Sequence, residues 1–262
     1  MTRLDPAQEE ALHQLTAAVA PAQVVLIGAA AVGVHVPMTW RRTSDLDLVL
    51  AIDVDAFGAL SSRLPGWSHD RRREHVWRSP LGVELDLVPA AASLRGEQHL
   101  VFPASGNEMD LTGIDLAFAH AVPTRLGGCV VNVAPIEVLT VLKMVAWLDS
   151  PHRLHDLEDL AHILDAWLPL DDERRYDDAV VAAQVPYDDV PALLLARAIR
   201  AVARKPHRAV VQRFLDHVGD ERRAAHGYLQ SRGPMSWRND EDLLPRRLAA
   251  FREGLSSDVD GG

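Results

Sequence analysis

The 262-residue sequence predicts an α/β (α+β) fold. It should have a small mixed sheet with helices over residues 1–134, a helical domain over 135–255 and a loose tail at 256–262. Three observations carry this. Short apolar runs of strand length, bounded by Gly or Pro, fall before residue 134. Two of them, 45–48 and 84–87, alternate carboxylates with leucines at the period of two that a strand demands. From Pro135 onward the apolar residues instead recur at helical spacing.

Taken in order, 5–19 reads as a helix with Pro6 in its first turn and Leu12, Leu15 and Val19 on one face. Residues 24–27 form a short buried strand ended by Gly28, and 29–34 start a helix. The strand 46–52 follows, then a helix over 54–64 stopped by Pro65-Gly66. Residues 75–78 and 83–88 read as paired strands across the turn Ser79-Pro80-Leu81-Gly82. Residues 90–112 have no clear period; 114–121 reads as a short helix and 129–133 as a strand. Helices are expected over 135–148, 156–167, 171–183, 190–204 and 208–218, with a last one near 243–255.

Bulk properties narrow the function. With 48% hydrophobic and 24% charged residues the chain is ordinary globular material. Its net charge of −10 argues against broad, nonspecific coating of nucleic acid. The single cysteine, Cys129, excludes an intramolecular disulfide and fits a reducing compartment. No run reaches the ~18 apolar residues of a membrane span, and the N-terminus lacks a signal peptide's apolar core, so a cytoplasmic location is expected.

The chemistry concentrates in Arg41-Arg42-Thr43-Ser44-Asp45-Leu46-Asp47. Asp45 and Asp47 share a strand face, and two carboxylates that close repel unless a cation sits between them. Hard divalent ions suit such oxygens and leave room for substrate phosphates. The bland alternative is a solvated start to a strand. Glu84 and Asp86 share a face of a second acidic strand, so pairing of the two strands would bring Asp86 to Asp45 and Asp47. Three carboxylates meet the needs of a two-metal site, in which one of them takes a proton from an incoming hydroxyl. Gly28 lets backbone N–H groups approach a phosphate at a helix N-terminus, or is a plain turn glycine. Lys143 lies in an apolar helix, where its ammonium either meets a phosphate or snorkels to water. Asp156 and Asp159 share a helix face; Asp156 is a candidate N-cap or first-turn dipole partner, or else a partner for Lys143 or Arg153. His152 and His155 are three apart, as metal ligands can be, but no third ligand stands at metal-site spacing; the remaining histidines read as surface or core filler. The cluster Arg71-Arg72-Arg73 with Arg78 reads as a solvated loop.

In order and spacing, Gly28, Arg41-x-Thr43-x-Asp45-Leu46-Asp47 and Leu85-Asp86-Leu87 resemble the polymerase-β-type nucleotidyltransferase superfamily. Lys143-Met144-Val145-Ala146 and Asp156-Leu157-Glu158-Asp159 make the chain most similar to the AbiEii-like, type IV toxin branch. The resemblance covers about residues 22–165. It implies a mixed sheet, a trailing helical domain and an active site between them. It also implies an NTP donor, ATP among the candidates, Mg²⁺ (or Mn²⁺) as cofactor, and a tRNA acceptor or an antitoxin as partner. By position, Asp45, Asp47 and Asp86 would bind metal, Lys143 would hold phosphate, and Asp156 would orient Lys143 or act directly. Gly28, Ala29, Arg41, Thr43 and Ser44 would line the nucleotide. Ala29 replaces the usual Ser or Gly, and His155 replaces a common Arg or Lys; both changes weaken phosphate contacts. Competing readings are an aminoglycoside-type small-molecule transferase, which suits the acidic surface, and a non-catalytic nucleotide-binding relative, which the three carboxylates disfavour. A glycosyltransferase is weaker still.

Overall fold

The computed structural model describes residues 4–41 and 43–256. Arg42 and the tail from residue 257 onward therefore lie outside the described residues. The chain divides into two compact units, 1–142 and 143–262. The division falls inside a helix.

The first unit runs α1 (Pro6–Val19), β1 (Val24–Ile27), α2 (Gly28–His35), β2 (Leu46–Leu50), α3 (Val54–Gly58), α4 (Leu60–Arg63), β3 (Ser68–His69), β4 (Val76–Arg78) and β5 (Glu84–Pro89). It continues with α5 (Ala92–Glu97), β6 (His99–Val101), β7 (Glu108–Asp110), α6 (Ile114–His120), β8 (Val122–Leu126) and β9 (Cys129–Val133), and α7 (Ile136–Asp149) begins in it. Seven strands form one mixed sheet in the order β3-β4-β5-β2-β1-β9-β8, while β6 and β7 form a separate hairpin. The three central strands decide the site. β1 and β2 are antiparallel with Ile27 opposite Asp47, and β2 and β5 are parallel with Asp47 opposite Asp86. Leu46, Leu48, Leu50, Leu85 and Leu87 are fully buried, and the carboxylates between them stay partly accessible. Burying a leucine is worth roughly 1.5–3 kcal/mol, so slipping either strand by one residue, which would turn these leucines outward, is heavily disfavoured.

At its N-terminus α1 carries a capping box: Asp5 accepts from the Gln8 N–H at 2.8 Å, and the Gln8 side chain accepts from the Asp5 N–H at 3.0 Å. The turn 79–82 joins β4 to β5 as expected, with the Gly82 N–H donating to the Ser79 carbonyl and Arg78 opposite Glu84. The helix expected over 54–64 is broken at Ala59, just after Gly58, the weakest helix former in the run. Strands β3 and β8 had no clear signal. β3 is two exposed residues, and β8 is a largely exposed edge strand holding Pro123, a placement proline tolerates because an edge position need not donate to the ladder.

The second unit holds the end of α7, then α8 (Leu154–Ala166), α9 (Asp178–Ala182), α10 (Val190–Val202), α11 (Lys205–Val218), α12 (Ala224–Arg232), α13 (Met235–Asn239) and α14 (Leu243–Ser256). α10 and α14 cross closely: a Cβ on Gly254 would lie 2.3 Å from the Leu193 carbonyl oxygen. The expected helix at 171–183 is instead a 3-10 turn, Glu173–Tyr176, followed by α9. Arg175 is the cause, since its guanidinium donates to the carbonyls of Leu168, Pro169 and Tyr187 and holds the chain in a turn. α11 starts three residues earlier than the expected Arg208, because Pro206 in a first turn has no N–H to leave unsatisfied. A buried network joins Asp189 to Arg246 and Arg247, and Arg247 to Asp165, which also accepts from the Trp237 indole at 3.0 Å.

Candidate active site

Gly28 is more than a turn residue. Its φ is +68°, and a Cβ built there would fall 1.9 Å from Asp47 Oδ2 and 2.3 Å from its Cγ. Glycine alone lets the Asp47 carboxylate lie against the backbone where α2 begins. The unpaired N–H groups and dipole of that helix end favour negative charge there. Ala29 is only 4% exposed, so its methyl group belongs to the core and its contribution to a ligand is confined to the backbone.

Asp47 and Asp86 are register partners on adjacent parallel strands, which run about 4.8 Å apart in any sheet, and their side chains leave the same face. Asp45 precedes Asp47 by two residues on the approach to β2. Its Oδ1 accepts from the Thr43 hydroxyl at 2.5 Å, so Thr43 holds this carboxylate in place. The exposed Ser44 has its carbonyl bonded by the Gln8 side chain at 3.2 Å, which ties the loop to α1. Arg41 is partly buried. Beside Asp45 opens a polar cavity of about 590 Å³, lined also by Asp5, Gln8, Ser44 and Glu84. Arg78, on its wall, is paired to Glu84 at 2.7 Å. Neither Asp5 nor Gln8 stood out in the sequence, because the spacing from α1 to β2 gives no hint of contact.

Among the described residues, no set of three or more His, Cys, Asp or Glu side chains is arranged to hold a metal ion. The donor chemistry nevertheless suits a hard divalent cation. Asp47 and Asp86 supply carboxylate oxygens only, and Gly28 leaves the space that a side chain would fill. An ion such as Mg²⁺ takes one or two carboxylates and completes its shell with water and substrate phosphate. His152 and His155 are exposed and belong to no such set; His155 lies 3.2 Å from Glu158. In the arginine cluster, Arg73 pairs with Asp70, whose carboxyl is held below its ordinary range first by the Arg72 backbone N–H.

Lys143, Asp156 and Asp159 form a buried cluster in the second unit. The Lys143 ammonium lies 2.9 Å from Asp156 Oδ1 and 2.6 Å from Asp159 Oδ2. All three residues are at most 7% exposed. Burial disfavours the ammonium, but the two carboxylates outweigh it, and the Lys143 pKa is raised. Asp156 also accepts from Arg153 at 2.9 Å, so it serves both of the partners considered for it. It sits in the first turn of α8 rather than at its N-cap, which is Arg153. Two carboxylates bond the Lys143 ammonium, and one of them is Asp156, the partner the sequence offers for it.

Comparison with known proteins gives the class of this protein. The family model for the nucleotidyl transferase AbiEii toxin of type IV toxin–antitoxin systems matches residues 10–243. The chain belongs to that family and is an enzyme of nucleotidyl transfer in a toxin–antitoxin system. None of the curated proteins matches it. Among solved structures it is similar to an antigenic nucleotidyltransferase-like protein from Paracoccidioides brasiliensis, with 18% identity and a TM-score of 0.38, over 60% of this chain and 72% of that one. So distant a likeness adds nothing to the family match. No helix among the described residues is long and apolar enough to cross a membrane.

Proposed function

We propose that the protein moves an NMP from an NTP to a hydroxyl of tRNA, with Mg²⁺ or Mn²⁺ held by Asp47 and Asp86. The observation that supports this most is the register pairing of those two residues over Gly28. A divalent ion supplies charge neutralisation at the triphosphate and at the attacking and leaving oxygens. The rest falls to the chain. Asp45, oriented by Thr43, adds a third carboxylate at the mouth of the site. Backbone N–H groups at the start of α2 receive phosphate oxygens. Asp86 takes the acceptor's proton as its oxygen bonds to the α-phosphorus and pyrophosphate departs. An antitoxin partner follows from the family. The acid-lined cavity beside Asp45 favours a second reading, in which the acceptor is a cationic small molecule such as an aminoglycoside.

One assay tests both. The protein is incubated with Mg²⁺, each α-labelled NTP and either total tRNA or an aminoglycoside panel, with Asp47→Asn alongside. Asn keeps the shape and removes the charge. Transfer should fall at least about 100-fold, while Tm moves by only a few degrees. Label on tRNA alone selects the first acceptor, and label on the small molecules alone selects the second. Full activity in Asp47→Asn would overturn the catalytic assignment.

A further inference from the structure

We infer that the C-terminal helical unit carries a separate binding site for a nucleoside phosphate. The site is a cavity of about 660 Å³ formed by α10, α11 and α14. Its volume falls within the roughly 300–1,000 Å³ typical of small-ligand clefts. Four cations line it: Arg200 from the end of α10, Lys205 and Arg208 from the first turn of α11, and Arg252 near the end of α14. Among the described residues none of its lining is acidic, in a chain whose net charge is −10.

The arginines are placed. Arg208 donates from Nε to the Ala203 carbonyl at 3.1 Å and from Nη2 to the Arg200 carbonyl at 3.3 Å. Arg252 donates from Nη2 to the Leu215 carbonyl at 3.1 Å. Carbonyl oxygens orient a guanidinium without cancelling its charge. Lys205, Arg208 and Arg252 bring like charges to one cavity, and a bound anion relieves their repulsion. Phosphate suits the set, because guanidinium groups bind its oxygens two at a time and an ammonium adds a point charge. The remainder of the lining is not built for phosphate alone. Ile199, Val211 and Leu255 make an apolar floor, and the Gln212 amide offers both a donor and an acceptor. A flat base on that floor with its phosphate among the cations uses both halves. Such a ligand is either a free nucleotide or a nucleotide within a single RNA strand. None of these residues belongs to the carboxylate face, so the inference stands apart from the catalytic reading.

Binding is measured on the full chain in EDTA, which removes any contribution from metal-bridged triphosphate at Asp47 and Asp86. The probes are ATP, inorganic triphosphate, decanoate and a single-stranded RNA hexamer. Lys205→Glu puts a carboxylate in a helix first turn, where it is tolerated, and Arg252→Gln removes one charge. Circular dichroism melting verifies that both fold. ATP or RNA should bind wild type and Asp47→Asn alike, and each cavity variant should weaken binding by about tenfold or more. RNA binding without ATP binding makes a strand the source; the converse makes it free nucleotide. The inference fails if the cavity variants bind as wild type does, if triphosphate binds as tightly as ATP, if decanoate alone binds, or if nothing binds.

Discussion

At the scale of single residues, Gly28 and Asp47 are one unit. The left-handed φ of Gly28 would cost an L-residue about 1–2 kcal/mol, and its missing Cβ is the space the Asp47 carboxylate occupies. Gly28→Ala therefore strains the backbone and displaces Asp47 together. The expected loss is about 2 kcal/mol or more, or roughly 4–8 °C in Tm for a unit of this size. Transfer activity should fall along with it. The pair should also be non-additive, since Gly28→Ala in an Asp47→Gly background no longer meets the Asp47 carboxylate and should cost less. A thermal-denaturation cycle over the four proteins measures this. Equal costs of Gly28→Ala in both backgrounds would mean that the two residues do not share the space.

At the scale of elements, Lys143 bonds the end of α7 to the first two turns of α8. A buried charge cluster is weak evidence of net stabilisation, but removing one member leaves the others uncompensated. Lys143→Met should cost about 3–5 kcal/mol in denaturant unfolding, more than an exposed pair such as Arg73 with Asp70 is worth. The pH dependence follows from the raised pKa. The folded value lies above the ordinary 10.5, so the stabilisation is complete below 10.5 and disappears as pH climbs through the folded value. The denaturation midpoint should be flat through neutral pH and drop in strong alkali, with the extra drop absent from Lys143→Met. An alkaline drop of the same size in both would place it elsewhere. These elements also show what the sequence made legible. β1 could be read as an apolar run ended by Gly28, and β2 and β5 because leucines and carboxylates alternate in them; their pairing then brought Asp86 opposite Asp47. The double clamp on Lys143 could be read only in part. Helical spacing puts Asp156 and Asp159 on one face, but burial of both depends on packing that spacing does not encode. α12 and α13 were illegible, because each buries one apolar side chain, Leu229 and Trp237, and leaves no period to detect.

At the scale of the whole molecule, the change in sequence character and the change in packing fall at different places. The pattern turns helical at Pro135, yet the first compact unit runs to Leu142. The reason lies in the first two turns of α7, where Ile136, Val138, Leu139 and Val141 are all buried. Gly113, at φ +90°, brings the start of α6 so close that a Cβ would lie 3.2 Å from Leu142 Cδ2 and 3.4 Å from Val141 Cγ1. These turns are buried within the first unit, although their period belongs to the helical half. Four buried aliphatic side chains at roughly 1.5–3 kcal/mol each rival the whole stability of a domain, which is about 5–15 kcal/mol. A fragment cut at residue 134 should therefore fail to melt cooperatively and should bind a dye for exposed apolar surface. A fragment ending at Asp149, which keeps all of α7, should show a cooperative transition followed by far-ultraviolet circular dichroism. If the shorter fragment melts as sharply as the longer one, α7 is dispensable to the sheet's core, and the division at Leu142 does not mark a folding unit.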